Sequence, residues 1–319
     1  MTEEKRVVLD VEDLCKDFVL ENGSRLSAVD HVSFQIREGE CFAVIGESGC
    51  GKTTLAKLIT RVEEATSGRV IFQDRDITAL GRGKMKSVLR DMQMIFQNVL
   101  SVVSPKMKIQ DFLLEPYRNF RLMPKREALE NIRRMLKSVR LTEAVLKKYP
   151  HQLSGGELQR ICISRAFGMN PQLLICDEIT SALDVSVQDD VMKLFRELQS
   201  QHGIACLFIC HDLALVSNYS DRIMVMYLGQ NVEIIDSADL GTKALHPYTR
   251  GLLQSFLFIS SDRGRAIRTI SGEPQSPVDV SANCRFCTRC PKASSRCFEE
   301  VPPLREVGPG HYVACFLLE

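Results

Sequence analysis

The chain of 319 residues is 45% hydrophobic and 25% charged, ordinary values for a globular protein of about two domains and incompatible with global disorder. Its 41 basic and 40 acidic residues leave a net charge of +1, which speaks against a dedicated nucleic-acid binder and its strong basic excess. The longest apolar runs, residues 173–176 and 204–210, are too short to span a bilayer, and the charged opening MTEEKRVVLD lacks the apolar core of a secretion signal. A cytosolic protein with at most a peripheral membrane role is expected.

Alternation over residues 7–14 and 31–36 predicts antiparallel strands. Residues 41–45 (CFAVI) form a continuous apolar run suited to a buried strand, followed by a Gly-rich turn and a helix from near Lys52. From about Lys84 to Phe167 the pattern is mostly helical, punctuated by Pro105, Pro116, Pro124 and Pro150. Two more buried strands are predicted over 172–176 and 205–210, with a helix over 187–201 between them. Strands alternating with helices predict an α/β sheet carrying an inserted helical segment. A further strand over 223–228 leads to a turn at Gly229, and a helix is predicted over 247–255. Residues 271–277 (SGEPQSP) read as a linker by composition. Of 12 cysteines, five (Cys284, Cys287, Cys290, Cys297 and Cys315) crowd into the tail beyond it, where little room for an apolar core is expected. In a reducing compartment such a cluster reads as a metal site before it reads as disulfides.

Three elements carry chemistry. Gly46-Glu47-Ser48-Gly49-Cys50-Gly51-Lys52-Thr53 is a complete G-x4-G-K-[ST] element between a predicted strand and helix. Its glycines let the backbone wrap phosphates, and successive N–H groups with the helix N-terminus form an anion site. In such loops the lysine, here Lys52, reaches the β- and γ-phosphates, and the hydroxyl of Thr53 ligates Mg²⁺. The second element, Ile175-Cys176-Asp177-Glu178, sets two carboxylates at the C-terminal end of a buried strand, where α/β sheets bind ligands. Alone, two acids after an apolar run read as a solvated helix cap. With a phosphate loop in the same chain, Asp177 fits the acid that holds Mg²⁺, and Glu178 fits a group that orients and deprotonates the attacking water. The third element, Leu153-Ser154-Gly155-Gly156-Glu157 ahead of a helix, is by itself an ordinary N-cap.

Together these elements resemble the ATP-binding cassette (ABC) family, whose signature is LSGG(Q/E). Gln97 in Ile95-Phe96-Gln97 resembles the Q-loop, Ser181-Ala182-Leu183-Asp184 the D-loop, and His211 the H-loop, in matching order over about residues 7–235. The resemblance implies a P-loop NTPase fold: a RecA-like core with an antiparallel β subdomain and a helical subdomain over about 85–167, all within residues 1–240. It also implies roles. Phe18 would stack on adenine; the loop from Gly46 through Glu47, Ser48, Gly49, Cys50 and Gly51 would wrap the phosphates with Lys52, Thr53 and Thr54. Thr53, Gln97 and Asp177 would hold Mg²⁺, Glu178 would act as general base, and His211 would hold the γ-phosphate. Ser154, Gly155, Gly156 and Glu157 would close in trans on ATP bound to a second cassette, with Ser181 and Asp184 forming the D-loop.

Within the family the chain is similar to ATP-binding subunits of oligopeptide, dipeptide and nickel importers, through GESGCGKT, SALDVSVQ, VMYLG, His246-Pro247-Tyr248-Thr249 and the tail cysteines. The resemblance implies that residues 241–319 are an extension of that type. There, four cysteines are associated with an iron–sulfur cluster and map to Cys284, Cys290, Cys297 and Cys315. Four thiolates suit either a [4Fe–4S] centre or Zn²⁺, and spacing does not choose between them. Cys287 is a bystander, an alternative ligand, or half of a zinc clip with Cys284. Some positions depart from the pattern: Ile179 replaces the usual Pro, residues 98–103 continue the Q-loop unusually, and Glu157 is the tolerated variant of Gln; none removes a catalytic group. The expected function is the ATP-hydrolysing motor of a di- or oligopeptide importer, on the cytoplasmic face of the membrane. Its partners would be a related second cassette, two permease subunits and an extracytoplasmic solute-binding protein. A nickel or metal-chelate importer, and more distantly a soluble ABC ATPase acting on nucleic acid or ribosomes, are the alternatives.

Overall fold

The computed structural model describes residues 5–97, 103–180, 183–257, 270 and 272–318 and is mixed α/β, as the alternating pattern predicts. In chain order come β1 (Val7–Val19), β2 (Arg25–Arg37), β3 (Cys41–Ile45), α1 (Lys52–Ile59), β4 (Ser67–Phe72), β5 (Arg75–Asp76), α2 (Arg82–Asp91), β6 (Met92–Ile95), α3 (Ile109–Phe120), α4 (Lys125–Ser138), α5 (Gly155–Phe167) and β7 (Leu173–Asp177). Then follow α6 (Val185–His202), β8 (Ala205–Ile209), α7 (Leu213–Tyr219), β9 (Arg222–Tyr227), β10 (Gln230–Asp236), α8 (Leu240–Lys243), α9 (Pro247–Leu257), β11 (Arg305–Gly308) and β12 (His311–Val313). The chain divides into two compact units, one of Met1–Leu9, Ile36–Glu40 and Ala79–Phe208, the other of Asp10–Gln35, Cys41–Thr78 and Ile209–Glu319.

In the first unit β8, β7 and β6 are neighbours in a sheet. β7 and β8 are buried at every residue, as unbroken apolar runs require of strands covered on both faces. β6 corrects the expectation of a mostly helical stretch from Lys84: it runs parallel to β7, with Met92 opposite Leu173 and Ile95 opposite Cys176. Four apolar and amide residues are too few to display a period of two, so only the ladder offered by β7 decides their state. The helical segment itself is amphipathic. Ala128, Ile132, Met135 and Leu136 of α4 recur at helical spacing and are buried. Tyr117 of α3 donates to the Gly168 carbonyl and accepts from Asn131 of α4, each at 2.9 Å, which fastens α3, α4 and the end of α5.

In the second unit β3 runs parallel to β9, β10 returns antiparallel beside β9, and β12 then β11 extend the sheet beyond β10. A separate sheet has the order β2-β1-β4-β5. The two tail strands escape the sequence pattern, being only four and three residues long. The tail also buries Phe286, Cys287, Cys297, Val313 and Ala314, more apolar surface than its composition suggests. The end of the expected linker is ordered against β2: the Ser27 N–H donates to the Pro277 carbonyl at 3.0 Å, and Leu26 bridges Val278.

Candidate functional site

The second unit carries the phosphate loop. β3 delivers the chain to Gly46, where an added Cβ would lie 2.2 Å from the Met226 carbonyl oxygen. At Gly51, the N-cap of α1, φ is 105°, a left-handed backbone, and a Cβ would meet the Ala28 carbonyl oxygen at 2.2 Å. These two glycines fix the loop because no side chain fits. Lys52 is buried and its Nζ donates to the carbonyls of Gly46 at 2.8 Å and Glu47 at 3.0 Å, so the loop curls around the ammonium. Ser48, Gly49 and Thr53 are exposed and Thr54 is half-buried, whereas Cys50 is buried and its thiol is pushed up by desolvation. A curled backbone ahead of a helix N-terminus is the arrangement that accepts phosphate. Phe18 is half-buried on β1 with Lys16 Nζ 4.7 Å from its ring centroid, and His211 is exposed just after β8.

The first unit carries the acids and the LSGGE element. Asp177 is buried as the last residue of β7. Glu178 then turns the chain with a φ of 48°, a left-handed conformation that costs a non-glycine residue about 1 kcal/mol. Its Oε2 accepts a hydrogen bond from Gln97 Nε2, so two residues 81 apart in sequence, singled out separately, are brought together. Ser154 is the N-cap of α5: its Oγ accepts from the Glu157 N–H at 3.2 Å, while Glu157 Oε2 accepts from the Ser154 N–H at 2.8 Å. This reciprocal capping holds the Glu157 carboxyl below its ordinary value, the Ser154 N–H being the main cause. Gly155 and Gly156 allow close approach of side chains, with an added Cβ meeting Leu183 Cδ2 at 3.3 Å and Val187 Cγ1 at 2.8 Å. Asp184 is exposed at the N-cap of α6, without a side-chain capping bond. Ser181 and residues 98–102 of the Q-loop continuation lie outside the described residues.

All five tail cysteines are free thiols. Burial pushes the Cys284 thiol up to about 12 and raises Cys287, Cys290 and Cys315. Their neighbours add to it, Cys297, Cys287 and Cys315 acting on Cys284, and Cys290 and Cys297 acting on Cys315. Cys284, Cys290 and Cys315, half-buried beside other tail thiols, ionise reluctantly until a cation compensates them, which fits a thiolate-bound metal centre. Among the described residues no three of these sulfurs lie within 4.8 Å of one another; the one potential ligand group that tight is Cys15, Asp30 and His31. The sequence reasoning passed over Arg285 and Arg289, which alternate with the cysteines and whose guanidinium partners lie in the other half of the sequence, Asp30 and Glu47. Interleaved arginines beside clustered thiols were the available signal.

The profile described as ABC transporter matches residues 29–181, and that described as oligopeptide/dipeptide transporter, C-terminal region, matches residues 232–297. The chain is 38% identical to the oligopeptide transport ATP-binding protein AppF of Bacillus subtilis strain 168, over 98% of each chain. Its fold is similar to the dimeric post-hydrolysis structure of the ATP-binding cassette MJ0796 bound to ADP and Pi, with a TM-score of 0.66 at 24% identity, covering 72% of this chain and 98% of that one. It is also similar to cbiO1 of Clostridium perfringens, part of the ABC transporter complex cbiONQ, with a TM-score of 0.66 at 26% identity over 75% and 92% of the two chains. Among the described residues no helix is long and apolar enough to cross a membrane. With a buried phosphate-loop lysine, acids ending a buried strand and a capped LSGGE helix, the chain belongs to the ABC transporter family, as an ATPase subunit of the oligopeptide/dipeptide type.

Proposed function

We propose that this subunit drives uptake of di- or oligopeptides by coupling ATP hydrolysis to the opening of a permease. The observation that carries the reading is the joint match of the cassette and the oligopeptide/dipeptide C-terminal region, with near-complete coverage of a relative named as an oligopeptide transport ATP-binding protein. In this reading the chain sits on the cytoplasmic face of the membrane against two permease subunits, beside a related second cassette, with a solute-binding protein outside.

The residue roles follow. Phe18 stacks on adenine, and the Gly46–Gly51 backbone with Lys52 and Thr54 binds the phosphates. Thr53, Gln97 and Asp177 hold Mg²⁺, which shields the phosphate oxygens. Water attacks the γ-phosphorus, its proton passes to the Glu178 carboxylate, and the bond to the β–γ bridging oxygen breaks to leave ADP and phosphate. The hydrogen bond from Gln97 supports this role by holding the Glu178 carboxylate in one orientation. His211 holds the γ-phosphate. Ser154, Gly155, Gly156 and Glu157 close on ATP of the partner cassette, where a helix N-terminus stabilises negative charge, and Ser181 and Asp184 serve as the D-loop. ATP-driven closure and opening after hydrolysis is then a population shift set by γ-phosphate contacts.

In the tail, Cys284, Cys290, Cys297 and Cys315 hold a [4Fe–4S] cluster that folds a segment with a small core of its own. Four thiolates are the ligand set such a cluster takes, and ligation would stabilise a tail that buries few apolar residues. Gentle affinity purification from native membranes tests the whole reading. Two permeases, a second cassette and a peptide-loaded binding protein are expected; recovery of soluble partners alone overturns it. Iron and acid-labile sulfide assays on anaerobic protein test the cluster, and their absence sinks it.

A further inference from the structure

We infer that Arg289 is a positioning residue for the phosphate loop, so that the cysteine-rich tail sets the affinity for ATP. The tail segment 284–290 reads Cys-Arg-Phe-Cys-Thr-Arg-Cys. Both arginine side chains are almost fully buried, Arg285 at 7% and Arg289 at 6% exposure. The Arg289 fork is bidentate on Glu47, Nη1 to Oε2 at 2.9 Å and Nη2 to Oε1 at 3.2 Å, and Nη1 also donates to Tyr227 Oη at 3.2 Å. Glu47 is the second residue of the phosphate loop. Its N–H donates to Tyr248 Oη at 3.0 Å and its carbonyl receives Lys52 Nζ at 3.0 Å. One residue thus links the tail, through its carboxylate, to the phosphate-binding lysine, through its carbonyl.

Arg285 braces the other end of the loop. It donates to the Leu228 carbonyl and to Asp30 Oδ2, each at 2.6 Å. The adjoining Gly229 N–H donates to the Cys50 carbonyl at 2.9 Å, and the Asp30 N–H donates to the Gly229 carbonyl at 2.9 Å. A buried guanidinium is tolerated only when its partner is in place, so the pairs select one loop shape among those that glycines permit. If the arginines only fastened the tail, their natural partners would be any surface acid. Glu47 is instead a residue whose own carbonyl positions Lys52. The chain turns between these arginines and the thiols, with the Arg289 N–H on the Phe286 carbonyl at 3.1 Å and the Cys290 N–H on the Cys287 carbonyl at 3.4 Å. Metal ligation by the tail thiols would therefore fix the Arg289 backbone; this last step rests on the proposed cluster.

Equilibrium binding of MgATP to the full chain tests the inference, comparing wild type with R289Q, R289K, E47Q and the E47Q/R289Q double variant. Iron content and a thermal melt are recorded on every sample. R289Q is expected to weaken ATP binding about tenfold, raising KM with little change in kcat, and R289K to recover part of it. The double variant should bind no more weakly than the weaker single one, because both changes remove the same link. Wild-type affinity in folded R289Q, or additive losses in the double variant, overturns the positioning role. Where R289Q does not fold, E47Q, which changes nothing in the tail, carries the test, and wild-type affinity there overturns the role equally. Iron-free wild type that still loses affinity on R289Q overturns the cluster reading alone and supports the arginine's role.

Discussion

Two helix N-termini carry glycines that the proposed chemistry aims at phosphate, and they are built in opposite ways. At α1 the N-cap Gly51 has no side-chain capping bond, and any Cβ there or at Gly46 would strike backbone carbonyl oxygen. At α5 the cap is a side chain, Ser154, paired reciprocally with Glu157, and Gly155 and Gly156 face only side chains. The first is shaped by its surroundings and cannot change without rebuilding them. The second satisfies itself and lies at the surface, ready-made for a partner. In the proposed chemistry the end assigned to the chain's own nucleotide is the embedded one, and the end assigned to a neighbour's is the self-contained one.

The largest effect should come from chemistry that neither helix end supplies. Glu178→Gln should lower single-turnover hydrolysis about 10²–10⁴-fold while ATP still binds and drives dimer formation in size-exclusion chromatography. Undiminished turnover would remove Glu178 as base. Gly51→Ala then tests the embedded end: it should cost about 2–3 kcal/mol in chemical denaturation and abolish nucleotide binding, whereas the alanine is easily housed if the loop is soft.

Acid should weaken the fold that holds the embedded end in place. His246, whose Nδ1 accepts the Tyr248 N–H at 3.1 Å, is fully buried and pushed down to about 3 from 6.5. The unfolded chain takes up that proton first, so stability is complete above pH 6.5 and declines as pH falls toward the folded value. The decline is at most about 1.4 kcal/mol per pH unit. Denaturation midpoints measured from pH 7.5 to 5 should show this slope, and His246→Gln should flatten it. Because folded His246 stays neutral over this range, ATP affinity of the folded chain should not follow the decline. The smallest effect is expected at the self-contained end. Ser154→Ala should cost about 1 kcal/mol of stability and reduce steady-state hydrolysis, with ATP affinity of the monomer unchanged. A fall in monomer affinity would erase the distinction between the two ends.

What could be read from the sequence was what is local in the chain. GESGCGKT and LSGGE each fit within one turn and the start of one helix, and the strands ending at Ile45 and Asp177 are unbroken apolar runs. β6, β11 and β12 were not legible, because strands of four, four and three residues owe their state to the neighbours that pair with them. The tie between Arg289 and Glu47 spans 242 residues, and nothing near either one announces the other. Likewise the Gln97–Glu178 pair was foreseen as two roles and not as one hydrogen bond.

The tail strands have a consequence for any shortened form of this subunit. β12 pairs with β10 at Glu233 and Ile234, and β11 covers β12 in turn. A chain ending before Arg305 would leave the backbone donors and acceptors of β10 open along one side, with Val232, Ile234 and Ile235 of that strand normally buried. An uncovered strand of this kind recruits a second copy by edge-to-edge pairing. This chain cut before Arg305 should therefore aggregate for want of a cover, even where every residue proposed to touch ATP is present.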